Sequence, residues 1–169
     1  TENKAIVVVA AEEDGKGIGR VRLRRVLDVS ADSLLPFVEE AVAPGSVVHT
    51  DGWSGYKDLA SKGYRHNVTN IKRSGQLAHE LMPRVHRVAA LLKRWLLGTH
   101  QGAVRLEHLD YYLDEFTFRF NRRTSRYRGK LFFRLMQQAV AITPTTYAEI
   151  VQYPNNPKVD AQAVVDLSG

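Results

Sequence analysis

The stretch Lys4-Ala5-Ile6-Val7-Val8-Val9-Ala10-Ala11 decides the fold. A half-exposed strand alternates apolar and polar residues, whereas Ala5 to Ala11 is seven apolar residues in a row, the pattern of a strand covered on both faces. It is expected to be central or near-central in a sheet. Downstream, Gly15, Gly17 and Gly19 punctuate a turn. Val21 and Leu23 then alternate with Arg20, Arg22 and Arg24, so a half-exposed strand returns and closes a hairpin. Gly15-Lys16-Gly17 is not a phosphate-binding loop, because the required spacing and the helix after it are both missing. Ser30 is placed to cap a helix with Leu34, Leu35, Val38 and Val42 on one face, ended by Pro44-Gly45. Val47–Thr50 reads as a short buried strand running into Asp51. A helical stretch near 57–61 and a strand at 64–68 follow. The order is that of an α/β fold.

Residues 69–81 are polar and read as a mobile loop. From Pro83 the period becomes helical, with Val85, Val88, Leu92 and Leu96 in register and Gly98 closing the helix. A second helix carries Leu106, Leu109, Leu113, Phe116 and Phe120, with Tyr111 and Tyr112 widening its apolar face, and ends at Asn121-Arg122-Arg123. A third spans 131–142 and stops before Pro144. The organisation expected is one domain over 1–150 and a flexible tail over 151–169.

Composition narrows the classes. With 44% hydrophobic and 25% charged residues in 169, the chain buries an ordinary core and is neither disordered nor fibrous. It has no cysteine, which excludes disulfides, thiolate metal sites and a cysteine nucleophile. The longest apolar run falls far short of the roughly 18–20 residues of a membrane span. Thr1-Glu2-Asn3-Lys4 has no basic-then-apolar leader and reads as a cut end. The formal charge of +6 favours a polyanionic partner. Between Arg84 and Arg134 there are twelve Lys or Arg against four Asp or Glu, so the cationic surface belongs to the C-terminal half. Arg119, Arg122, Arg123, Arg126 and Arg128, beside Tyr127, form either a phosphate-tracking strip or a solvated basic face.

Asp51 stands at the C-terminal end of a strand, where open α/β sheets hold their ligands. A carboxylate there suits Mg²⁺, which takes oxygen donors; an Asp before Gly is also a common turn residue. His86 and Lys93, seven apart, project from one helix face. On spacing alone His86 is an ordinary helix histidine, and Lys93-Arg94 a surface pair.

Four blocks carry a resemblance: Thr50-Asp51-Gly52-Trp53-Ser54-Gly55-Tyr56; Leu92-Lys93-Arg94-Trp95 through Gly98-Thr99-His100-Gln101-Gly102; His108-Leu109-Asp110-Tyr111-Tyr112-Leu113-Asp114-Glu115-Phe116; and Phe120-Asn121-Arg122-Arg123. Together they resemble the catalytic domain of ISXO-type insertion-sequence transposases over about residues 4–141. The resemblance implies an RNase H-like mixed sheet with flanking helices, whose acidic triad holds divalent metal for DNA cleavage and strand transfer. It implies Asp51 as the second acidic residue, His86 at the third position, and Lys93 on DNA beside the site; Arg94 next to it is expected on phosphate, as are the five arginines if they form the phosphate-tracking strip. The metal implied is Mg²⁺ or Mn²⁺, the partners are terminal-repeat and target DNA, and the protein is a homo-oligomer on DNA in the bacterial cytoplasm, associated with the nucleoid.

Two departures accompany it. The family's leading Asp lies on a first, central strand with no counterpart here, and Asp14, Asp28 and Asp32 do not replace it. Imidazole is also a poorer Mg²⁺ ligand than carboxylate, so His86 suits Mn²⁺ or a general-base role. The expectation is an N-terminally truncated transposase whose hairpin and Asp51 strand each keep an open edge. A catalytically inactive DNA-binding remnant and an RNase H-like nuclease acting on RNA stand as alternatives.

Overall fold

The computed structural model describes residues 5–69, 75, 77–101, 104–144, 146 and 147. Strand β1 (Ile6–Asp14) and strand β2 (Gly17–Val26) form the antiparallel hairpin. Gly15 takes φ +53°, a value open to glycine, and this lets two residues close the turn. Gly17 and Gly19 lie within β2 instead. The ladder slips between Ala11 and Glu13, and the Glu12 carboxylate accepts a hydrogen bond from the Arg20 N–H at 2.8 Å.

Helix α1 (Ala31–Ala41) follows, with Leu34, Leu35, Phe37 and Val38 buried. Ser30 occupies the N-cap position but makes no side-chain cap bond, contrary to expectation. The reason is Asp28, whose carboxylate accepts from Ser30 N, Ser30 Oγ and Ser33 Oγ. Those three donors hold the Asp28 carboxyl below its ordinary range. Strand β3 (Val47–Thr50) and strand β4 (Arg65–Val68) pair in parallel around a 3-10 turn at Ser54–Leu59, three residues earlier than the stretch read from sequence. Only Thr50 of β3 is buried, while Val47 is 42% exposed, so the expectation of a buried strand is corrected.

Helix α2 (Ala78–Leu81) forms inside the segment read as a loop; residues 70–74 and 76 of that segment lie outside the described residues. Helix α3 (Pro83–Thr99) and helix α4 (Leu109–Asn121) match the helical periods, with Leu106 in a preceding 3-10 turn. Tyr111 is exposed and does not join the apolar face. Helix α5 (Arg128–Ala141) buries none of its residues. The tail over 151–169 lies outside the described residues.

Two apolar clusters sit on opposite faces of the hairpin. Ala5, Val7, Val9 and Ala11 meet α3 and α4 through Val88, Leu92, Leu109, Leu113 and Phe116, together with Val21 of β2. Val8 and Ala10 meet α1. The alternation follows from the period of two, and β1 is covered on both faces as its composition requires. It is not central, however: it pairs with β2 alone among the described residues. The sheet is divided into two two-stranded halves, β1–β2 and β3–β4. Helix α1 joins them, because Val8, Val26, Val48 and Tyr64 belong to one cluster beneath it. The fold is mixed α/β, compatible with an RNase H-like domain, and its division leaves β1 and β3 each with an unpaired edge among the described residues.

The outer edge of β2 is closed differently. Asn121 at the end of α4 accepts from Val21 N at 2.7 Å and donates to Val21 O at 2.9 Å. Its side-chain amide takes the place of a neighbouring strand's peptide.

Candidate functional site

The loop after β3 is braced residue by residue. Gly52 takes φ +81°, and a Cβ there would lie 2.8 Å from Val68 Cγ1, so only glycine fits. Trp53 Nε1 donates to Val29 O at 2.8 Å and ties the loop to the start of α1. Gly55 is buried, and a Cβ would meet Val29 O at 2.7 Å and Leu34 Cδ1 at 2.8 Å. These contacts hold Asp51 in one place, exposed, with Oδ1 accepting from Trp53 N at 3.0 Å. The turn role and the presentation of a carboxylate coexist in one residue. Tyr56 lies near it. Burial first, and the Asp51 charge second, push the Tyr56 phenol up to about 12, so it keeps its proton at neutral pH. Thr50 Oγ1 and His66 Nε2 are 2.7 Å apart and link β3 to β4 at the base of the loop.

His86 sits half-buried on α3. Burial, then the charges of His79 and Lys93, lower its pKa from the ordinary 6.5, so it is neutral at pH 7 with a lone pair free to accept a proton or a metal. The structure thus brings His79, His86 and Lys93 into electrostatic range. Among the described residues no group of three or more His, Asp or Glu is positioned to hold a metal ion. Asp51 offers one exposed carboxylate, and the described residues alone do not complete a Mg²⁺ donor set.

The cations divide by what they touch. Arg119 pairs with Glu115 at 2.7 Å. Arg122 lies over the Phe118 ring at 3.9 Å and donates to Phe118 O. Arg123 lies over Phe120 at 3.9 Å and donates to Phe120 O at 2.8 Å, to Gly19 O and to Ile18 O. Arg84 grips the same hairpin from α3, through Gly15 O, Gly17 O and the Glu13 carboxylate. Lys93, Arg94, Arg126 and Arg128 are exposed and form no ion pair among the described residues.

Sequence reasoning missed two features. Asn121 caps β2, a role set by tertiary placement with no local signal. His100 packs 4.9 Å from Trp95 and 4.2 Å from Tyr112 with its buried Nε2 unpartnered among the described residues, beside Gln101 at φ +50°. A non-glycine residue in the left-handed region at a helix end was invisible in the letters.

Compared with known families, residues 1–121 match the ISXO2-like transposase domain. The chain belongs to that family. No curated protein and no solved structure matches it. The transposase domain match takes in the hairpin, the Asp51 loop, α3 and α4 through Asn121, and ends before α5. No described helix is long and apolar enough to cross a membrane.

Proposed function

We propose that this transposase domain acts on insertion-sequence DNA by metal-dependent strand cleavage and transfer, with Asp51 as a metal-binding carboxylate. The family match carries the reading. The exposed Asp51 carboxylate on its braced loop supports it, as does the neutral His86 beside Lys93. Mg²⁺ or Mn²⁺ supplies the charge that stabilises attacking and leaving oxygens in such chemistry. Asp51 would hold the ion. His86 is the third-position partner. Lys93, Arg94, Arg126 and Arg128 contact DNA phosphate with free head groups, and Arg119, Arg122 and Arg123 stand at the rim as already paired cations. The protein works as a homo-oligomer on terminal-repeat DNA, in the bacterial cytoplasm at the nucleoid.

The test is strand nicking of terminal-repeat DNA in Mg²⁺ and Mn²⁺, by the wild-type protein and by Asp51→Asn. Cutting that depends on Asp51 is expected; none at all sinks the proposal. A second reading, a DNA-binding form that does not cut, draws on the lack of a three-residue metal group among the described residues. Binding without nicking in either metal would favour it. Competition by RNA or hybrid over duplex DNA would favour a nuclease of RNA instead.

A further inference from the structure

A concave site of about 390 Å³ lies where the hairpin tip meets α3 and the end of α4. Ile18, Leu91 and Phe120 form its apolar floor, and Lys16, Arg87 and Arg123 its polar lining. No carboxylate lines it. Asp14, the last residue of β1, pairs in register with Gly17 of the lining, and Glu13 before it is held by Arg84 at 2.7 Å. Lys16 and Arg87 are exposed and make no hydrogen bond or ion pair among the described residues. Arg123 differs, because the carbonyls of Ile18, Gly19 and Phe120 and the Phe120 ring fix its guanidinium plane. Two free point charges above an apolar floor, with one immobilised cationic plane, suit a ligand that is flat at one end and anionic at the other. A solvated basic face needs no cavity, and a lipid tail needs no fixed plane.

We propose that this pocket takes one unstacked nucleotide of a DNA strand. The base lies on Ile18, Leu91 and Phe120 and against the Arg123 plane, and its phosphate lies between Lys16 and Arg87. The volume falls within the range of small-ligand sites. The inference rests on DNA being the partner and adds a contact that a fully paired duplex cannot make.

Fluorescence anisotropy compares a blunt duplex with the same duplex bearing a short single-stranded overhang, using the wild-type chain and the Lys16→Gln/Arg87→Gln double variant. Both residues are exposed and unbonded, so an unchanged melting temperature is expected and checks folding. The double variant should lose about tenfold in affinity for the overhang DNA beyond any loss on blunt DNA. Its salt slope on the overhang should fall by about 0.7, the share of one single-strand phosphate contact. An equal loss on both DNAs, or no loss on either while the wild type still binds, overturns the nucleotide pocket alone. A wild-type chain that binds neither DNA overturns this inference together with the reading it rests on.

Discussion

Replacing Asn121 by Ala removes both hydrogen bonds that close the outer edge of β2, at 2.7 and 2.9 Å. Val21 is fully buried, so its N–H would be left without a partner and its C=O would keep only the longer bond from Arg22 Nη1 at 3.3 Å. An unsatisfied buried polar group costs about 1–3 kcal/mol, and losing the N–H partner together with the shorter of the two bonds to the C=O should cost about 2–3 kcal/mol. That is a large share of the roughly 5–15 kcal/mol that holds a typical domain. For a chain of this size about 3 kcal/mol corresponds to a fall in melting temperature of roughly 6–12 °C. Thermal and urea unfolding measure it, and the urea midpoint should drop with little change in slope, since the surface exposed on unfolding is the same. Asn121→Asp should be no milder at neutral pH, because it keeps an acceptor for Val21 N but sets a negative charge against Val21 O. The salt dependence of DNA binding should be unaffected, since Asn121 serves the sheet edge. A fall below about 2 °C for Asn121→Ala would refute the edge-capping argument.

Three further outcomes follow from the same coordinates. Native His86 resists protonation while the unfolded chain takes up a proton near pH 6.5, so stability is full above that pH and falls as pH drops through it toward the depressed native value. In His86→Gln the loss between neutral pH and about pH 5 should shrink in a urea series, and an unchanged profile would remove His86 as its source. Gly52→Ala forces a left-handed φ on alanine and sets its Cβ 2.8 Å from Val68, which should cost about 1–3 kcal/mol in urea unfolding. Replacing Arg126 and Arg128 by Gln should reduce the magnitude of the salt slope for duplex DNA by about 1.8, whereas Arg119→Gln, already paired with Glu115, should change it less.

The local signals in the sequence were reliable where one element decides its own shape. Apolar period placed α3 and α4, because their buried stripes contain Val88, Leu92, Leu113 and Phe116. Gly15 marked the hairpin turn because a left-handed φ favours glycine. Signals failed where a neighbour decides. Ser30 looked like a cap, but Asp28 two residues away competed for its hydroxyl. Val47 looked buried, but β3 has one strand beside it among the described residues. In the candidate site, Asp51 was legible as a strand-end carboxylate and Gly52 as a turn. The Trp53 tie to Val29 spans 24 residues, and the grip of Arg84 and Arg123 on the hairpin spans 67 to 105, so spacing along the chain carried no trace of them.

Metal preference at position 51 is the most direct measurement. Asp51→Cys should abolish DNA nicking in Mg²⁺, a hard cation, and recover part of it in Mn²⁺, which accepts a softer sulfur ligand. Nicking by Asp51→Cys at the wild-type rate in Mg²⁺ would contradict the assignment of that side chain to the metal.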